Sequence, residues 1–309
     1  MRILVLGGNG FIGTHVLDEL LAAGHRVRVF DRSPEAWRAP IPEVTYYLGD
    51  FANTPLLAEA LHGVDAVIHL ISTTVPSTSN LDPVADIQSN LECSVRLFQL
   101  MKQAKVDRIV YLSSGGTVYG IPSALPIPEA HPLNPICSYG IVKLAIEKYL
   151  GMFEHLYGLL PLIIRPSNPY GPRQGHQGIQ GVVSTFMHKI MAGERISIWG
   201  DGSVKRDYFY ISDLAKACRL AVESGAVGVI NAGSGSGQTL TALVSAIEDT
   251  VGKKAEIEYL APRSYDVPEV VLDIGKAGSL LDWRPAVSLE AGLRMQHEWM
   301  AQHWSRRTR

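Results

Sequence analysis

A phenol and an ammonium stand four residues apart in Ser138-Tyr139-Gly140-Ile141-Val142-Lys143. The periodicity of 138–157 predicts a helix, which puts Tyr139 and Lys143 on one face. A free phenol has a pKa of about 10. A neighbouring ammonium, together with an oxidised nicotinamide ring, would lower it by attraction of opposite charges. Such a phenol is a usable base toward a sugar or alcohol hydroxyl near neutral pH. The chain holds 12 tyrosines, so the pair is easily met by chance and its weight rests on its company.

That company begins at the first strand. The apolar run Ile3 to Leu6 enters Gly7-Gly8-Asn9-Gly10-Phe11-Ile12-Gly13 and then a helical pattern ending near Gly24. Gly7, Gly10 and Gly13 allow a tight turn, close approach to a pyrophosphate and close packing of helix on strand, while the N–H groups of Phe11 and Ile12 meet the phosphates. Asp31 ends the next strand, where a carboxylate would bond ribose hydroxyls and repel a 2′-phosphate, favouring NAD over NADP; Arg32 beside it weakens that preference. Asp50, followed by Phe51, could hold the adenine amino group or simply cap its loop. Leu70 and Ser113 stand at the ends of two further strand segments and border the same crevice.

The elements that must position these residues alternate. Strands are expected at 3–6, 26–31, 44–48, 66–71, 108–113 and 160–165, with helices at 11–23, 55–61, 83–105 and 138–157 between them. Parallel neighbours need covering crossovers, so the fold class is α/β, a doubly wound parallel sheet. After Arg165 the alternation stops in a stretch rich in proline and glycine, which starts a smaller, interleaved lobe for substrate. The expected division is 1–168 for the dinucleotide, rejoined by about 210–234, with 169–209 and 235–309 forming the second lobe.

Composition narrows the function. Hydrophobic residues make up 46% and charged residues 19%, against roughly 25% charged in an average chain. This calls for a large core and excludes a disordered tail protein. With 28 basic and 30 acidic side chains the formal charge is -2, so no field gathers nucleic acid or coats a membrane. Cys93, Cys137 and Cys218 have no metal-like spacing and cannot all pair, as expected of a reduced compartment. No apolar run reaches the ~18 residues of a membrane helix, and the first residues leave no room for a secretion signal. The expectation is a soluble, cytoplasmic protein without a metal.

Taken in order, several motifs resemble the extended short-chain dehydrogenase/reductase family, and within it the nucleotide-sugar 4-epimerases of the UDP-galactose 4-epimerase type. They are Gly7 to Gly13, Ser113-Ser-Gly-Gly-Thr-Val-Tyr119-Gly, Tyr139 with Lys143, Arg165-Pro-Ser-Asn168-Pro-Tyr-Gly-Pro172, Gly200-Asp-Gly-Ser-Val-Lys-Arg206-Asp-Tyr-Phe-Tyr, and Arg263-Ser-Tyr-Asp266-Val. The resemblance implies a Rossmann-type fold, tightly bound NAD and a UDP-sugar substrate. It makes Tyr139 the base for the sugar 4-hydroxyl and Lys143 the residue that holds the nicotinamide ribose and tunes Tyr139. Asn168 and Arg206 fall where the diphosphate is held, Arg263 and Asp266 around the nucleotide, and Asn90 near the cofactor or on a helix surface.

One departure stands out. The family's Ser or Thr that polarises the reacting oxygen falls on Gly115, which has no side chain to donate a hydrogen bond. Thr117, on the same side if the segment stays extended, is the first substitute and Ser114 the second; a water in the missing side chain's place is the alternative. The Asp-Glu pair of the family's dehydratases falls on Gly116 and Thr117, and no Glu of the decarboxylase kind is present, which leaves oxidation and re-reduction at one carbon. A net reductase and a dinucleotide-binding protein without catalysis are the competing readings. Val270 stands where hexose-restricted members carry Tyr, so it could admit an N-acetyl group or simply pack in the core, and Arg173 could meet a uronate carboxylate. Family precedent implies a homodimer through 83–105 and 138–157; Leu91, Val95, Leu144 and Leu150 are compatible with contacts across it and equally with an intramolecular core.

Overall fold

The computed structural model describes residues 1–175, 181–262 and 267–303. Seven parallel strands form the main sheet: β1 (Arg2–Leu6), β2 (Arg26–Asp31), β3 (Thr45–Leu48), β4 (Ala66–His69), β5 (Arg108–Leu112), β6 (Leu160–Pro166) and β10 (Gly228–Ala232), in the spatial order β10-β6-β5-β4-β1-β2-β3. The order reverses between β1 and β4. At such a switch point the loops diverge to opposite faces of the sheet and leave a crevice at the carboxyl ends. Leu70 N–H bonds the Leu6 carbonyl at 2.9 Å, so the chain leaves β1 and β4 side by side at this crevice.

Strand residues alternate between two cores, as a period of two requires. Ile3, Val5, Val29, Ile68, Val110 and Ile164 face one side, packed under α1 (Phe11–Ala22) and α7 (Ile211–Ser224). Leu4, Leu6, Phe30, Val67, Tyr111 and Ile163 face the other, under α2 (Thr54–Leu61), α4 (Cys93–Ala104) and α5 (Ser138–Tyr157). The helix expected over 83–105 is not uniform: α3 (Pro83–Asp86) passes through a π-helical turn at Ile87–Glu92 before α4. Leu150 lies in the second core and Leu144 packs against the cluster of Val118 and Leu272, so neither is an outward contact; Leu91 and Val95 are half-buried.

Short strands beyond β6 carry the other wall of the crevice. β7 (Asn168–Tyr170) and β9 (Lys205–Tyr210) pair in parallel, and β9 also pairs with β11 (Gly237–Thr239) and β13 (Glu269–Val270). Apart from them, β8 (Ile196–Trp199) pairs with β12 (Ile257–Leu260); α6 (Val182–Ala192) packs on β8 and on α8 (Leu240–Val251), α10 (Leu289–His303) on α8 and β9, and α9 (Gly275–Leu281) on β10 and α7. Asp207 joins these pieces: its buried carboxylate accepts from Ser234 N and Oγ at 2.7 Å each and from Gly235 N at 3.3 Å.

Two histidines are held in the neutral form. His69 on β4 lies against Phe51, Tyr111 and the Ser94 hydroxyl, and burial, with the charge of Lys143, lowers its pKa to about 3. His15 on α1 faces the Pro172 carbonyl at 2.9 Å, and burial chiefly brings it down to about 4. The unfolded chain takes up these protons near pH 6.5 while the folded chain does not, so stability is lost as pH falls from 6.5 toward 4. Each histidine contributes about 1.4 kcal/mol per pH unit in that window. Urea unfolding between pH 8 and 5 is expected to show this slope, and a His15→Gln/His69→Gln variant with an unchanged slope would overturn the assignment.

Candidate active site

The crevice is a cavity of about 460 Å³. It is lined by Phe11 and Ile12 of α1, Leu70 and Ser72 after β4, Ser114 and Thr117 after β5, Tyr139 and Lys143 of α5, Asn168 of β7 and Arg206 of β9. Residues scattered over the sequence therefore meet at one place. Arg263 and Asp266 lie outside the described residues.

At the glycine turn, Gly7 takes a left-handed φ of 81°, and a Cβ on Gly13 would overlap the Gly7 carbonyl oxygen. Helix α1 therefore packs directly on the end of β1. Its N-cap is Gly10, with no side-chain cap, so the first-turn N–H groups face the crevice unpaired by a side chain. The carboxylate of Asp31 accepts Asn9 N at 3.0 Å and Ser33 N at 3.2 Å, leaving further lone pairs for hydroxyls. Arg32 beside it is exposed. A pyrophosphate and an adenosine ribose are matched by this cradle of free N–H groups and a fixed acceptor.

Other sequence candidates take different parts. Asp50 accepts Ala52 N at 2.8 Å, which is a loop cap, and the Phe51 side chain is buried against His69. Ser113 borders the crevice, while its hydroxyl donates to Glu147. Asn90 is no helix-surface amide. Buried in the π-helical turn, it accepts Thr73 N at 2.9 Å and donates to Thr73 Oγ1 at 2.7 Å, pinning the loop after β4. Asn168 donates to the Asp207 carbonyl at 3.1 Å, and Arg206 Nη1 to the Lys205 and Val267 carbonyls at 2.8 Å, which sets both side chains on the crevice wall. Arg173 pairs with Asp18 of α1 at 2.8 Å, so the uronate role is not the one its geometry favours.

Sequence reasoning missed Asp86, Glu147 and Arg165. Asp86 is buried and accepts Thr74 Oγ1 at 2.7 Å, Asn90 Nδ2 at 2.9 Å and Ser138 Oγ at 2.7 Å, tying the loop after β4 to the start of α5. Only the run of polar residues within the otherwise helical 83–94 hinted at it. The phenol of Tyr139 is buried beside the same loop. Burial pushes it up to about 12, opposed by hydrogen bonds with the hydroxyls of Ser72 and Ser114. Burial brings Lys143 down to about 8, opposed by the charges of Glu147 and Asp86, while its Nζ donates to the Leu112 carbonyl at 2.9 Å.

Gly115 is explained by packing. Its N–H bonds the Pro166 carbonyl at 2.8 Å, so the chain after β5 hugs the end of β6. A Cβ there would lie 2.5 Å from Leu272 Cδ1 and 3.0 Å from the Arg165 carbonyl oxygen. Leu272, not a water, fills the place of the missing side chain. The segment then turns rather than staying extended, with Val118 N bonding the Ser114 carbonyl at 3.2 Å. The turn brings Thr117 to the crevice, and its buried Oγ1 has no partner among the described residues. Val270 is buried in the same cluster as Leu272, Val118, Tyr119 and Ile127, the position of a packing residue.

The site and fold together define a dinucleotide-dependent enzyme of the doubly wound class. The chain belongs to the NAD dependent epimerase/dehydratase family, whose pattern it matches over residues 3–233. It is 35% identical over 300 residues to the putative UDP-glucose 4-epimerase of Methanocaldococcus jannaschii, covering 96% of this chain and 98% of that one. It is 37% identical to the UDP-glucose 4-epimerase of Mycolicibacterium smegmatis (95% and 96% covered) and 34% identical to the dTDP-4-dehydro-6-deoxyglucose reductase of Escherichia coli (94% and 95%). The UDP-glucose 4-epimerase of Thermotoga maritima, solved with UDP-glucose, superposes with a TM-score of 0.94 at 35% identity, covering 98% and 100%. That of Thermus thermophilus, solved with NAD, gives 0.91 at 32%, covering 97% and 99%. NAD is the cofactor of this chain, and the geometry of the Gly7 to Gly13 cradle with Asp31 fits it.

A side chain at Gly115 should be costly because Leu272 occupies its space. Gly115→Ser is expected to lose about 1–3 kcal/mol of stability in urea unfolding. Leu272→Ala alone should cost about 2–5 kcal/mol. The double variant should lose less than the sum, since truncating Leu272 opens the space that the new hydroxymethyl group needs; strict additivity would show that the two do not compete.

Proposed function

We propose that the protein interconverts epimers at carbon 4 of a UDP-sugar, with UDP-glucose and UDP-galactose as first candidates. The observation that carries this reading is the convergence of Tyr139, Lys143, Ser114 and Thr117 on the crevice that also holds the dinucleotide cradle and Arg206. The bound NAD supplies a hydride acceptor that returns what it takes. Tyr139 removes the proton from the 4-hydroxyl and later gives it back to the 4-keto sugar after the sugar has turned its other face. Lys143 holds the cofactor ribose and favours the phenolate by its charge. Thr117, whose buried hydroxyl has no partner among the described residues, takes the part that Gly115 cannot, with Ser114 hydrogen-bonded to the phenol.

On the substrate side, Arg206 and Asn168 suit a diphosphate, since a guanidinium fork fits phosphate oxygens. Beyond them, a second cavity of about 870 Å³ is lined by Trp199, Asp201, Val204, Tyr259 and Pro262. Its aromatic wall suits a nucleobase. Arg263 and Asp266 remain proposed for the nucleotide. The N-acetyl and uronate sugars are the next candidates. The outward apolar side chains of Val84, Ile87, Ile141 and Met152 support a homodimer through α3 to α5.

The test is incubation of the purified protein with UDP-glucose, UDP-GlcNAc and UDP-glucuronate separately, followed by separation of the epimers. Epimerisation without added cofactor is expected. Net turnover that consumes added nicotinamide would favour the reductase reading instead, and bound NAD with every UDP-sugar unchanged would favour the non-catalytic one. Tyr139→Phe should lower kcat by about 10²–10⁴-fold with NAD binding retained. Thr117→Val should cost more turnover than Ser114→Ala, and undiminished turnover in Thr117→Val removes that hydroxyl from the mechanism.

A further inference from the structure

Behind Lys143 lies a buried polar array that the reaction above does not use. Glu147, one turn further along α5, is 6% exposed, and Arg165 at the end of β6 is 3% exposed. The carboxylate of Glu147 accepts Arg165 Nε at 3.0 Å, Arg165 Nη2 at 2.6 Å and the hydroxyl of Ser113. Arg165 Nη1 donates to the Tyr119 phenol oxygen at 3.0 Å, and that phenol donates to Asn231 Oδ1 at 2.6 Å. Neither Glu147 nor Arg165 lines the crevice. Breaking such a pair leaves a lone buried charge, whereas keeping it adds little to stability over an apolar replacement, so its retention points to a use.

The surroundings of Lys143 supply that use. Its Nζ bonds the Leu112 carbonyl and lies 5.0 Å from the Tyr111 ring centroid and 5.6 Å from that of Tyr139. His69 on β4 is held neutral, in part by the Lys143 charge, Asp86 on α3 attracts that charge, and Arg165 on β6 stands behind Glu147. Burial drives Lys143 toward the neutral amine, and Glu147 is the larger of the two opposing charges.

We propose that Glu147, fixed by Arg165 and Ser113, is a positioning residue that keeps the Lys143 ammonium charged beneath Tyr139. The importance of that charge rests on the functional reading above, but its existence can be measured without substrate. A unit charge one helical turn away at an effective dielectric near 20 shifts a titration by about one to two pH units.

The experiment is a ¹⁵N-lysine NMR titration of the full chain, with Lys143→Met to assign the resonance. Glu147→Gln is expected to lower the Lys143 midpoint by about one to two pH units, while Arg165→Gln leaves it unchanged or raises it, because Glu147 keeps its charge. Both variants should lose stability, so the opposite signs separate an electrostatic role from a merely structural one. The alkaline limb of kcat should move with the NMR midpoint in Glu147→Gln, with KM little changed. Equal shifts in both variants, or none in either, overturn the proposal. If Glu147→Gln does not fold, Glu147→Gln/Arg165→Met leaves no lone buried charge and should still lower the midpoint; an unchanged midpoint overturns the proposal equally. A shift in Lys143 in a protein that epimerises no UDP-sugar upholds the proposal and sinks the functional reading instead.

Discussion

Burial of charge at the carboxyl ends of β4, β5 and β6 is the constraint around which the site is built. Asp86, Lys143, Glu147 and Arg165 are all buried there, two anions and two cations whose formal charges cancel. An isolated ion in such a place would neutralise itself or unfold its surroundings. Each is instead supplied with partners: hydroxyls and an amide for Asp86, a carbonyl for Lys143, a guanidinium for Glu147. The partners come from different elements, so satisfying the charges also fixes the loop after β4, the end of β5 and helix α5 relative to one another. Electrostatic satisfaction and active-site geometry are the same set of contacts.

The cofactor side follows a steric rule instead. Helix α1 sits on the end of β1 because nothing larger than hydrogen fits at Gly13, and Asp31 fastens the turn through Asn9 N. The same carboxylate is thus a structural anchor, with lone pairs left for ribose hydroxyls in the proposed reading. Gly115 obeys the same logic after β5. There the chain is pressed between β6 and Leu272, and the hydroxyl of Thr117 reaches the crevice from the turn that follows.

These differences explain what the sequence made legible. Apolar runs and helical periodicity mark most of the parallel strands and their helices, because β1, β4, β5 and β6 are almost wholly buried; β3, short and only partly buried, carries a weaker pattern. The strands β7, β11 and β13 are only two or three residues long, and their pairing with β9 depends on distant partners that no local pattern announces. Motif spacing found Tyr139, Lys143, Asn168 and Arg206, since chemistry demands those side chains at the crevice. For Ser113 and Asn90 spacing carries no direction: their side chains bond Glu147 and Thr73, although Ser113 also borders the crevice. Arg165 was read as part of a motif rather than as a buried cation, because its partner Glu147 lies on another element. How Thr117 and Ser114 come to line the crevice depended on the backbone direction after Gly115, and the turn there lies against β6 and Leu272, which no local pattern announces.

The proton affinity of Tyr139 shows why burial and charge must act together. Burial holds the phenol at about 12. For Tyr139 to accept a proton near neutral pH its affinity must fall by about four to five pH units, about 6 kcal/mol of differential interaction. Lys143, with its Nζ 5.6 Å from the ring centroid, is already in place at that value, so on the proposed reading a further positive charge, such as that of an oxidised nicotinamide, would have to supply the difference. On that reading Tyr139 would act as a base only beside the oxidised cofactor and would regain its affinity for the proton once that charge was discharged. A phenol already acidic in the protein would hold its proton too loosely to return it to a keto sugar. A raised affinity therefore suits the proposed reaction, which would have to run in both directions at one site.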